Sequence, residues 1–118
     1  MSRRDDLTLL RDIIETGRSA IAAIEGKSLA ALGVDHVWTL GLVKCLEIVG
    51  EAAGRLSANF RARHAGIPWA EIIGMRNRLV HAYFEIDCEQ VWKTLTEDLP
   101  PLMEELKALL AEEFKDGS

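Results

Sequence analysis

Two arginines, an amide, an imidazole and a phenol fall within eight consecutive positions of the run Gly74-Met75-Arg76-Asn77-Arg78-Leu79-Val80-His81-Ala82-Tyr83-Phe84-Glu85-Ile86-Asp87. His81 is the only member that titrates near neutrality, which makes it the candidate proton-transfer group. Arg76 carries a permanent charge on a planar fork that matches phosphate oxygens. Asn77 can orient either the imidazole or a substrate, and Arg78 suits a backbone phosphate or plain solvent. On one continuous helix, with Arg76 at 0°, Asn77 falls at about 100°, His81 at about 140° and Tyr83 at about −20°. Arg76 and Tyr83 then share one line two turns apart, and Asn77 and His81 sit side by side on the next. The chemistry this equips is proton transfer beside a phosphate. The same residue types also serve a duller purpose: an Arg-Asn-x-x-x-His cluster near a helix end can cap carbonyls, and Tyr83 can lie half-buried with its hydroxyl in water.

Arg-x-x-x-x-His-x-Tyr, here Arg76, His81 and Tyr83 with Asn77 after the arginine, resembles the signature of HEPN domains and, more narrowly, of the HepT-like toxins. The likeness extends to Glu47-Ile48-Val49-Gly50-Glu51-Ala52-Ala53-Gly54-Arg55-Leu56, to Ile67-Pro68-Trp69 and to Tyr83-Phe84-Glu85-Ile86-Asp87, so it covers nearly the whole chain. The resemblance implies a metal-independent endoribonuclease, the toxin of a type II/VII-like toxin–antitoxin pair, with no cofactor. Attack of a ribose 2′-hydroxyl on the adjacent phosphate needs a base, an acid for the leaving 5′-oxygen and positive charge for the phosphorane. One imidazole is one too few, and His36 and His64 are distant in sequence. A two-fold axis would supply the second from another copy, and the family's toxins are similar in this respect, with paired motifs facing a shared groove. Arg76 and His81 are thus the expected catalytic residues, with Asn77 and Arg78 supporting RNA binding. The resemblance also implies a partner, a minimal nucleotidyltransferase (MNT) antitoxin that transfers adenylyl groups from ATP to Tyr83. Bulky anionic nucleotides there would block the groove and occupy Arg76.

Two positions depart from the family pattern. Ala82 stands where the family often has Gly, and Leu42-Val43-Lys44-Cys45 lacks the Arg-Asn pair that often precedes the Leu-Glu of the middle helix. A second reading therefore keeps the fold without the cleavage: a non-catalytic HEPN subunit that binds nucleotide or a nucleotidyltransferase partner. A purely structural helical dimer is the third.

At 118 residues the chain is expected to form a single domain over 1–118. Hydrophobic content of 48% and charged content of 28% are ordinary for a folded soluble protein. No apolar run approaches the ~20 residues needed to span a bilayer. The charged start, Met1-Ser2-Arg3-Arg4-Asp5-Asp6, lacks the apolar stretch of a secretory signal, and Cys45 and Cys88 show no metal-ligand spacing. A cytoplasmic protein with two reduced thiols, both acting as small buried hydrophobes, and no bound metal is expected. The net charge of −5 argues against a general nucleic-acid binder, but its distribution is uneven. Arg55 to His81 carries +4 and the rest −9, a basic middle inside an acidic chain.

The elements that must hold these residues read as helices. A first helix is expected from Arg3 to about Ile24 with Ser2 as N-cap; its seam runs Leu7, Leu10, Ile14, Gly17, Ile21 and Ile24, with a close crossing at Gly17. Asp35 is the expected N-cap of a second long helix, His36 to about Ala58, whose small residues Gly50, Ala52, Ala53 and Gly54 point to a close neighbour. Residues 59–66 read as a polar connector. Pro68 opens a third helix that carries the motif near its end, and Asp87 with Gln90 reads as a capping box restarting the chain. Pro100 and Pro101 are expected to kink or restart the last segment. With no period-two alternation, the chain predicts an all-α, up-down bundle of four main helices, homodimeric.

Overall fold

In a computed structural model, which describes residues 2–80 and 85–117, the chain is all-helical. Helix α1 (Arg3–Ala23) begins at Ser2, whose hydroxyl accepts the Asp5 N–H while the Asp5 carboxylate reaches back to the Ser2 backbone. That reciprocal box satisfies donors that a helix start leaves orphaned. Helix α2 (Leu29–Val34) is short. The Asp35 carboxylate then accepts the Trp38 N–H and starts α3 (His36–Arg55). The buried hydroxyl of Thr39 donates to the Leu32 carbonyl at 2.7 Å, tying α2 to α3.

Helix α3 stops three residues earlier than its apolar pattern suggests. Leu56 is extended (φ −60, ψ 144), and Ser57 caps a new helix, α4 (Ala58–Arg63), inside the expected connector. The cause is Asp6 of α1, a buried carboxylate that takes both the Ser57 N–H and its hydroxyl at 2.7 Å. Those two charge-assisted bonds outweigh one more turn of helix.

The third expected helix is divided. α5 (Trp69–Ile73) and α6 (Met75–Leu79) meet at Gly74, and the run ends at Leu79. Val80 is extended (φ −129, ψ 123) and bridges Ile86 in antiparallel fashion, and the Asp87 N–H donates to the Leu79 carbonyl. The chain therefore turns back after Leu79. Helix α6 thus ends before the arc drawn from Arg76 is complete, because β-branched Val80 pairs with Ile86 instead of adding a turn; the arc's other members, His81 and Tyr83, lie outside the described residues.

Asp87 accepts the Gln90 N–H and caps α7 (Cys88–Lys93). A π-helical turn (Thr94–Asp98) joins this directly to α8 (Leu99–Gly117), so the helical run continues through the paired prolines without restarting. The wider π turn relieves the clash between a proline ring and the preceding carbonyls. Thr94 and Thr96 hydroxyls bond the Gln90 and Trp92 carbonyls through the same stretch.

Helices α1, α3 and α8 wrap a core that includes Leu10, Ile13, Leu46, Val49, Phe60, Leu79, Leu95 and Leu106, all fully buried. The α1–α8 crossing is close at Gly17, where a side chain would strike the Met103 thioether. Among the described residues no helix is long and apolar enough to cross a membrane.

Candidate active site

Arg76 owes its place to a glycine on another helix. At Gly50 of α3, a Cβ would lie 2.9 Å from the Ile72 carbonyl oxygen, closer than real side chains come. Only glycine lets the end of α5 rest on α3 there. Gly74 then ends α5, and α6 buries Met75 and Leu79 while presenting Arg76, Asn77 and Arg78 to solvent. This register sets Arg76 above Glu47, one turn before Gly50 on α3. The Arg76 Nε–H donates to Glu47 Oε1 at 3.1 Å, and Lys44 Nζ lies 3.9 Å from Glu47 Oε2. The Glu47 side chain is only 19% exposed, against 58% for Arg76 and 63% for Lys44. Leu40, Val43, Val80 and Ile86 complete a cleft of ≈ 200 Å³ around the three charges.

The other expected site residues are distributed differently. Arg78 faces away from Arg76: its Nη1 donates to the Glu71 carbonyl at 3.2 Å, and it lines a separate cleft with Gln90, Lys93, Glu97 and Glu105. Asn77 is exposed and makes no side-chain hydrogen bond among the described residues; its N–H is spent on the Gly74 carbonyl. His81 and Tyr83 lie outside the described residues. The structure thus sets Arg76 in a cleft beside α3 and separates it from Arg78. Among the described residues, no cluster of three or more His, Cys, Asp or Glu side chains is placed to hold a metal ion.

Two features escaped the sequence. Glu47 and Lys44 partner the motif from 29 or more positions away, and the only hint was an acid beside the apolar stripe of α3, one turn from a buried glycine. The second is a buried charge cluster at the far end. Glu113 of α8, 3% exposed, receives His64 Nε2 at 2.7 Å, Arg63 at 3.3 Å and Arg3 at 3.4 Å, and Arg3 also bonds its carbonyl. Burial alone would push the Glu113 carboxyl up. The His64 hydrogen bond, with the charges of Arg63, His64 and Arg3, outweighs burial and holds it below the ordinary glutamate value. His64 is thereby committed to a structural partner, as are two of the cations of the basic middle and N-terminus.

A family model described as ribonuclease HepT-like matches residues 7–109. The chain belongs to the HepT-like family. It is 36% identical over 104 residues to a Caldanaerobacter subterraneus protein assigned as an RNase, covering 88% of this chain and 93% of that one. A Methanocaldococcus jannaschii protein, likewise assigned as an RNase, is 33% identical over 107 residues, with 91% and 98% covered. A Thermococcus cleftensis protein assigned as ribonuclease HepT is 41% identical over 68 residues, 58% of this chain and 62% of the relative. No solved structure matches the chain significantly. The HEPN-type helical bundle and the HepT-like membership fit one another.

Proposed function

We propose that the protein is a metal-independent endoribonuclease, the toxin of a toxin–antitoxin pair, active as a homodimer. The observation that carries this is Arg76: a guanidinium anchored through Nε and otherwise open to solvent, in a HepT-like chain whose relatives are assigned as RNases. In this reading Arg76 grips the scissile phosphate while His81 of one subunit takes the 2′-hydroxyl proton. The 2′-oxygen attacks phosphorus, and the 5′-oxygen leaves with a proton from His81 of the second subunit. The products are a 2′,3′-cyclic phosphate and a 5′-hydroxyl. Asn77, exposed beside Arg76 and without a side-chain hydrogen bond among the described residues, meets substrate, and Arg78, on the far side of α6, binds RNA backbone beyond the cleft.

Silencing completes the proposal. A minimal nucleotidyltransferase antitoxin brings ATP to Tyr83; the phenol oxygen bonds the α-phosphorus, pyrophosphate leaves, and the phenolic proton passes to solvent. The added adenylyl groups put anionic phosphate where Arg76 would otherwise hold RNA.

The test is cleavage of RNA by purified dimer in EDTA with identification of the ends. Cyclic phosphate ends support the reading. Intact RNA, with Tyr83 shown by mass to be unmodified, moves the protein to the non-catalytic class that binds nucleotide or a nucleotidyltransferase. Incubation with the antitoxin and ATP should add mass in adenylyl multiples to wild type and none to Tyr83→Phe; equal addition to both would sink the switch.

A further inference from the structure

Lys44 lies outside the Arg76–Tyr83 motif, yet it shares a cleft with Arg76. The two cations flank one carboxylate, Glu47, from opposite oxygens: Arg76 Nε on Oε1 and Lys44 Nζ by Oε2. With Nε taken, the terminal Nη edge of Arg76 remains as the fork for a ligand, and this is the edge that meets two phosphate oxygens side by side. Lys44 is the more exposed of the two, a mobile point charge on the other flank. The three charges sum to +1 over an aliphatic floor of Leu40, Val43, Val80 and Ile86, in a chain whose net charge is −5. Arg3 and Arg63 are instead paired to buried Glu113, and Arg78 faces a separate cleft on the far side of α6.

We propose that Lys44 and Arg76 form a seat for one backbone phosphate of single-stranded RNA, and that Glu47 is the positioning residue that sets the Arg76 fork. The proposal rests on the ribonuclease reading of this cleft and names a substrate contact and a support that the motif does not contain. Glu47 acts against affinity, because its own charge repels the phosphate, and in favour of reaction, because it fixes the direction of Arg76. Removing that charge should therefore separate binding from turnover.

Binding is measured by anisotropy with a 2′-O-methyl RNA oligomer, which cannot undergo 2′-hydroxyl attack, from 50 to 200 mM salt. Turnover is measured on the unmodified oligomer. Lys44→Gln should weaken binding and reduce the log–log salt slope by about 0.7, the share of one single-strand phosphate. Glu47→Gln should tighten binding by about twofold to fivefold while turnover falls by about tenfold or more, as expected when a clamp loses its aim. Glu47→Asp, which keeps the charge but shortens the reach, should bind like wild type and still lose turnover. Lys107→Gln, on the exposed face of α8, is the control for simple loss of charge. Circular dichroism verifies that each variant is folded; a merely structural Glu47 would lower stability and weaken binding together.

An unchanged salt slope in Lys44→Gln, or no binding of the oligomer by wild type, overturns the phosphate seat. Weaker binding with full turnover in folded Glu47→Gln overturns the positioning role. Lys44-dependent binding without any cleavage by wild type would instead retain the seat and remove the ribonuclease reading.

Discussion

Gly50→Ala places one methyl group where α5 rests on α3, and its consequence can be worked from the geometry. The new Cβ would lie 2.9 Å from the Ile72 carbonyl oxygen and 3.5 Å from that of Ile73. Both are backbone atoms, so relief requires α5 to move as a unit. Alanine gains about 1 kcal/mol over glycine in a helix interior. Overpacking a buried site costs about 1–3 kcal/mol, and a rigid neighbour puts this position in the upper half of that range. The net expectation is a loss of about 1–2 kcal/mol, or roughly 3–10 °C in Tm for a chain of this size. Two further glycines serve as internal references. Gly17→Ala meets the flexible Met103 thioether, so gain and cost should nearly cancel. Gly41→Ala meets nothing within 4 Å and should raise Tm by about 2–5 °C. Thermal unfolding followed by circular dichroism ranks the three. If Gly50→Ala melts at or above the Gly41→Ala variant, α5 does not lie on α3 as described, and the seating of Arg76 over Glu47 loses its basis.

The remaining predictions are independent of that contact. Because the Glu113 carboxyl is held below its ordinary value, the stability it contributes is full above the unfolded glutamate pKa and drains away as pH falls through the lower folded value. Urea midpoints of wild type and Glu113→Gln should therefore differ most near neutrality and converge in acid; a gap that persists unchanged to low pH would refute this. Ser57→Ala removes the N-cap of α4 and one of the two bonds to Asp6, and should cost about 1–2 kcal/mol in urea unfolding. A loss within error of zero would show that Asp6 does not set the α3–α4 break.

Much of the scaffold was legible because its signals are local. Ser2, Asp35 and Asp87 are short polar side chains standing just before helical runs, and each accepts the N–H expected of a cap. Gly17 sits in an apolar seam where a helix tolerates it only if another helix comes close, and Met103 does. What was missed depends on distant partners. Nothing near Ser57 announces that Asp6, 51 positions earlier, will draw its two donors and end α3. Nothing near His64 announces Glu113, 49 positions later. The end of the motif helix at Leu79 was hidden for a related reason: Val80 has a helical neighbourhood in sequence, but in space it has Ile86 to pair with. The prolines do not restart the chain, since a π turn just upstream accommodates them. At the candidate site, Arg76 stood out by its residue type and by its spacing from His81 and Tyr83. Its partners on α3 were only faintly marked, because the pairing rests on the register that Gly50 sets.

The central claim, that Arg76 and His81 form a metal-independent cleavage site, comes down to one comparison: initial RNA cleavage rates of wild type and His81→Ala dimers in EDTA, with folding verified for both. Loss of a general acid–base group predicts a fall of about 10²–10⁴-fold with the dimer intact. Equal rates in the two proteins would contradict the claim.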